Sequence, residues 1–191
     1  MMKTIFIQLN GIIRDYESKV KEVFCSEKDC EEIDFEQDKE LKEILGFETL
    51  EDYIEFLYVE SPMRVFGYSK EREEGLIHQL NEFYRENRDK IKICIFSNEI
   101  EKSKPATLMF LARYGCLVDN IHFFPLMEKQ EIINQCDLLI VDEGFVEEEM
   151  DEKVVVFDYN DESSYKNKII NFNEILNYDS TRPQHSEGVP N

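Results

Sequence analysis

The sequence predicts an α/β protein: a Rossmann-like fold with a mostly parallel five-stranded sheet flanked by helices, and a small helical cap inserted after the first strand. Three observations carry this. Short apolar runs bounded by turn signals recur along the chain, each too short for a helix and several rich in Val and Ile, as buried strands are. Helix-like stretches alternate with them, which implies right-handed crossovers between parallel strands. One acidic interval of roughly 50 residues breaks this beat, and a segment of that length inside a compact domain carries structure of its own.

The first strand is "TIFIQL" (4–9), which breaks at Asn10-Gly11 into a polar turn. The interval from Tyr16 to about Arg64 is helical in pattern in "ESKVKEVF", "DKELKEILGF" and "TLEDYIEFLYVE". Thr49 suits an N-cap there, alone or with Asp52 in a near capping box. Phe56, Leu57, Tyr58 and Val59, then Met63, Val65, Phe66 and Tyr68, form an apolar region at its end. Most of that region is expected inside the cap or at its seat on the sheet domain, and any exposed part is a candidate protein interface.

Beyond it, a helix is expected over 71–87, a strand over 91–97, a helix over 104–115, and a strand over 120–124. Pro105 fits the first turn of its helix and Gly115 the stop. A helix over 127–135 and strands over 137–141 and 153–158 follow, and "NKIINFNEILNY" closes the core as a helix. The domain boundaries are therefore 1–15 and 65–178 for the core, 16–64 for the cap, and 179–191 for a polar tail with nothing to bury.

The 191 residues are 42% hydrophobic and 12% aromatic, a globular composition long enough to bury a core. With 42 acidic against 22 basic side chains, the net charge of −20 opposes a main partner made of nucleic-acid backbone or anionic membrane. It permits a basic protein partner. No secretory pattern and no apolar run near the ~20 residues of a membrane span is present, so the expected location is cytoplasmic. The five cysteines, Cys25, Cys30, Cys94, Cys116 and Cys136, read as free thiols in a reducing compartment. Cys25 and Cys30 are close but lack CxxC spacing, and His78, His122 and His185 form no ligand motif near them, so no zinc is expected. His78 reads as structural or exposed. The run "EEEMDE" (147–152) lacks the glycine and alternating oxygens of an EF-hand and reads as a solvated loop.

The strand ends are where such a fold places chemistry. Four short motifs stand there in order: Gln8-Leu9-Asn10-Gly11-Ile12 with Asp15 beyond, "ICIFSN" ending in Ser97 and Asn98, Lys129, and "DLLIVDEG" with Asp142 and Glu143. In this order the chain resembles the haloacid dehalogenase (HAD) superfamily, mostly phosphatases, whose first motif is Asp-x-Asp-Gly-Thr after an apolar strand. The second half and the inserted cap look most like the deoxyribonucleotidase branch. The resemblance implies a nucleophile at position 8, a general acid at position 10, phosphate contacts from Ser97, Asn98 and Lys129, and Mg²⁺ held with Asp142 and Glu143.

Here the two first-motif positions are amides. A glutamine neither forms an acyl phosphate at a useful rate nor gives charge to a metal, and an asparagine cannot shuttle a proton, a loss of about 10²–10⁴-fold on its own. The sequence thus looks like a phosphatase fold without its reaction. The plainer reading is a buried strand and turn in an unrelated α/β protein. Ser97-Asn98 is equally a phosphate cradle or an ordinary cap, Lys129 an anion ligand or a solvated helix lysine, and Asp142-Glu143 a residual weak metal site or an acidic turn.

Three functions follow as expectations. The first is a catalytically inactive interaction or structural subunit without cofactor, meeting a protein partner through the cap or tail; a phage particle is one such assembly, since the Asn-, Ile-, Lys- and Glu-rich composition fits an AT-rich genome. The second is a Mg²⁺-dependent phosphatase on a nucleotide or small phosphate ester, and the third a nucleotide- or phosphate-binding module without turnover.

Overall fold

The computed structural model describes residues 2–28, 30, 33, 35, 39–124, 129–146, 151–161 and 163–178. The tail 179–191 with His185, residues 147–150 of the acidic run, and the start of the helix expected over 127–135 lie outside the described residues.

Among the described residues six strands form one sheet: β1 (Lys3–Gln8), β2 (Ile91–Ser97), β3 (Asn120–Phe123), β4 (Leu138–Val141), β5 (Val154–Phe157) and β6 (Lys168–Ile169). Their order is β3-β2-β1-β4-β5-β6, and every pair is parallel. This is the doubly wound arrangement expected of apolar runs separated by helices. β1 lies between β2 and β4, with Ile5 opposite both Ile93 and Leu138. β4 and β5 are buried along their whole length, so their four-residue apolar runs need no alternation.

Helices cover both faces. On one face α4 (Leu76–Asn87), α5 (Ser103–Arg113) and a closing 3₁₀ turn (Phe172–Asn177) pack Leu80, Phe83, Phe110 and Ile175 against Ile5, Ile7 and Ile93. On the other, α6 (Lys129–Ile133) sets Ile132 and Ile133 against Phe6, Phe96 and Leu139. α4 starts later than the pattern implies, because Gly75 takes a left-handed φ of 83°. Glu71, outside the helix, caps it by accepting from the N–H groups of Gly75 and Ile77.

Between β1 and α4 lie α1 (Tyr16–Cys25), α2 (Leu41–Ile44), α3 (Leu50–Glu55) and two π-helical turns, Phe56–Glu60 and Met63–Gly67. Thr49 caps α3 through its hydroxyl, which accepts from the Asp52 N–H at 3.1 Å. Val20, Val23, Phe24, Leu57, Val65 and Phe66 form a separate cluster that meets the core through Ala106 of α5. A side chain at Gly67 would lie 3.2 Å from Met63 and 3.5 Å from the Ala106 carbonyl, so the second π turn sits on α5 at backbone range. Arg113 of α5 completes the seat by donating to the carbonyls of Gly67 and Ser69. Val59, Met63 and Tyr68 remain 40%, 38% and 54% exposed, so part of the apolar region noted in the sequence is surface.

Two expectations are corrected. The sheet has six strands, because Lys168–Ile169 pairs with β5 and the rest of "NKIINFNEILNY" winds as a 3₁₀ turn. Pairing satisfies the outer edge of β5, and the spacing of three between Phe172 and Ile175 suits 3₁₀ geometry. Cys25 and Cys30, expected free, form a disulfide. Cys25 ends α1, and the turn after it brings the two Cα atoms to 5.4 Å, inside the bonding range. Cys94, Cys116 and Cys136 are free thiols. Burial pushes Cys116 and Cys136 up to about 12, which leaves them unreactive. His78 is exposed beside Glu82 at 3.3 Å. No helix among the described residues is long and apolar enough to cross a membrane.

Reduction of the Cys25–Cys30 bond, which closes a short loop, is expected to lower stability by about 2 kcal/mol; urea denaturation with and without a reductant measures it.

Candidate functional site

A crevice of about 810 Å³ opens at the carboxyl ends of β1, β2, β4 and β5, where the strand order reverses. Gln8, Asn10, Asn98, Lys129, Asp142 and Glu143 all line it. Ser97 does not: it is 3% exposed, and its hydroxyl has no hydrogen-bond partner among the described residues. Glu143 is exposed at the rim, and Asp142 lies half-buried beside Gly11. A Cβ at Gly11, whose φ is 88°, would fall 1.9 Å from the Asp142 carboxylate, so only glycine admits this approach.

Each amide of the first strand end has a defined partner. Gln8 Oε1 accepts from the Asp142 N–H at 3.1 Å. Asn10 Oδ1 accepts twice from Arg14, through Nε at 2.8 Å and through Nη2. Arg14 is wholly buried and donates in addition to Glu99, to Thr107 Oγ1 at 2.8 Å and to the Phe66 carbonyl at 3.2 Å. Its guanidinium lies 5.0 Å from the Phe66 ring centre and 5.4 Å from that of Phe110. Glu99, equally buried, also accepts from Thr107. Burial lowers Arg14 to about 9, which still leaves it charged at neutral pH opposite Glu99.

This network explains the amide at position 10. Arg14 and Glu99 already balance, and a second, half-buried carboxylate on the same guanidinium would add an excess negative charge; asparagine offers the oxygen without the charge. At position 8 a carboxylate would face Asp142, whereas the glutamine amide interacts favourably with it. Burial, with a contribution from Glu17, raises the Asp142 carboxyl above its ordinary 3.8, against the stabilising contacts of Gln8 and the Phe145 N–H. Lys129 Nζ donates to the Phe145 carbonyl at 2.7 Å and lies over the Phe145 ring.

The donor set does not fit the Mg²⁺ that the resemblance implies. Gln8 Oε1 is turned to a backbone N–H, one Asp142 oxygen accepts from Phe145, and among the described residues no group of three or more His, Cys, Asp or Glu side chains could hold a metal ion.

The sequence reading missed Arg14 and Glu99 altogether. Its one available signal was a charge set directly after Ile12 and Ile13, in an apolar stretch. Tyr16, Tyr58, Arg72 and Asp158 also line the crevice and were not anticipated.

No family model matches the chain, and no curated protein does. Among solved structures, the chain is similar to the crystal structure of a HAD-superfamily hydrolase, subfamily IA, variant 1, from Geobacter sulfurreducens PCA. The identity is 11% and the TM-score 0.47, over 92% of this chain and 95% of that one.

Arg14→Met is expected to cost about 3–5 kcal/mol by leaving Glu99 buried and unpaired, and Arg14→Met/Glu99→Leu to recover much of it; urea denaturation of the three proteins tests the pair. For Asp142 the folded carboxyl holds its proton more tightly than the unfolded one, so its contribution is present below pH 3.8 and lost as pH rises through the raised folded value. The stability of Asp142→Asn relative to wild type should therefore rise as pH increases from 3.8 through the raised folded value and level off above it, as read by denaturation at a series of pH values.

Proposed function

We propose that this chain is a HAD-like protein without phosphatase chemistry that serves as an interaction or structural subunit. One observation carries the reading: the oxygens of Gln8 and Asn10, where the resemblance requires a nucleophile and an acid, are both committed as acceptors to the protein's own N–H groups. The Asn10 oxygen joins the buried Arg14–Glu99 pair, a structural role that keeps the fold without the reaction. Asp142, the nearest carboxylate, caps the turn after β4, and Asp15 caps α1. Neither stands at the end of β1, where attack on a phosphoryl group requires it.

The exposed Val59, Met63 and Tyr68 support a protein contact through the cap, and the charge of −20 favours a basic partner surface, whether in a phage particle or another assembly. A second reading, a small-molecule-binding module, is favoured by the size of the crevice. Phosphate capture by Ser97, Asn98 and Lys129 is the weaker form of that reading, since the Ser97 hydroxyl is enclosed and Lys129 already donates to Phe145.

The test is hydrolysis of p-nitrophenyl phosphate in millimolar Mg²⁺ by wild type and by Gln8→Asp/Asn10→Asp. Wild type is expected to be inert, with its melting temperature unmoved by Mg²⁺. Turnover by wild type overturns the reading.

A further inference from the structure

The wall of the crevice carries more negative than positive side chains. Glu17 of α1, Asp142 and Glu143 after β4, and Asp158 after β5 line it, against Arg72 and Lys129. Both cations and one of the acids are already answered: Lys129 by the Phe145 carbonyl, Arg72 by Asp15 at 3.8 Å, and Asp158 by Lys168 at 3.3 Å. Glu17, Asp142 and Glu143 have no ion pair within 4 Å among the described residues.

Aromatic side chains line the same crevice. Tyr16 and Tyr58 line the crevice from the cap side, each stacked on Phe66, and Tyr159 lines it from the sheet side. The Tyr16 hydroxyl is engaged with Tyr53 at 3.2 Å and the Tyr159 hydroxyl donates to the Ile12 carbonyl. Burial pushes Tyr16, Tyr58 and Tyr159 up, so all three rings stay neutral. Ser163, also on the wall, has a buried hydroxyl with no partner among the described residues.

Carboxylates contributed by α1 and by the turn after β4, in a crevice also lined by neutral aromatic rings, suit a ligand that is positively charged at more than one point and apolar in between. An anion would meet net repulsion. A divalent metal would find too few oxygen ligands, as the donor set shows. We propose that the crevice binds a small aliphatic polyamine, its ammonium groups held by Glu17 on one side and by Asp142 and Glu143 on the other, with the tyrosine rings along its chain. Burial and the Glu17 charge both disfavour the ionised Asp142, a cost that a bound ammonium relieves. The inference rests on the non-hydrolytic reading of the same crevice.

The experiment is calorimetric titration of spermidine into the full chain at about 0.15 M salt, where diffuse attraction to so acidic a protein is screened. One saturable site is expected. Glu17→Gln and Asp142→Asn should each weaken it about tenfold, while Glu86→Gln, an exposed carboxylate on α4 away from the crevice, leaves it unchanged. AMP and Mg²⁺ in the cell should not compete. Absence of a saturable site, equal weakening by Glu86→Gln, or displacement by AMP overturns the proposal. Phosphate-ester hydrolysis by the wild type would instead overturn the non-catalytic reading, and it is scored in a separate assay, so the two failures are distinct.

Discussion

Arg14 is a full positive charge enclosed by protein on every side, and much of the molecule is arranged to make that tolerable. A bare guanidinium in such surroundings would cost several kcal/mol, so each of its N–H groups needs an acceptor and its charge needs an answer. The turn after β1 supplies Asn10, the segment after β2 supplies Glu99, α5 supplies Thr107, and the second π-helical turn, where the cap joins the core, supplies the Phe66 carbonyl. Four parts of the chain are held to one point. The position of the cap over the strand ends therefore depends on a polar centre as well as on the apolar seat against α5.

The same centre shapes the crevice. With Asn10 drawn back to Arg14 and Gln8 drawn to the turn after β4, the floor at the end of β1 is neutral and fixed, while the charges stand on the walls. Gly11 belongs to this arrangement, because its bare backbone lets Asp142 close over the turn.

The strand core was legible because buried parallel strands announce themselves as short apolar runs: β2, β3, β4 and β5 fall within the runs that mark them, and β1 starts one residue before its run. The two amides were legible as amides at a strand end, Gln8 inside the run and Asn10 directly after it; their partners were not. What the sequence concealed was tertiary. Arg14 and Glu99 look like ordinary surface charges until the fold encloses them together. The Cys25–Cys30 bond depends on the turn after α1, which no spacing rule specifies. The short β6 exists because β5 had an edge to satisfy, so "NKIINFNEILNY" obeyed its neighbour rather than its own helical pattern.

The place of β1 in the sheet has a consequence for how the chain is made. Of the strands in this sheet it is the earliest in the chain, yet its neighbours begin at Ile91 and Leu138. At roughly 5–20 residues per second, a gap of about 90 residues leaves this apolar segment without a partner strand for several seconds or more. The cap segment is synthesised within that interval, and among the described residues its cluster draws only Ala106 from beyond it. A nascent chain of this kind carries a formed or forming helical unit next to an unpaired, aggregation-prone strand, and the length of the insertion sets how long the ribosome and its chaperones must shield it.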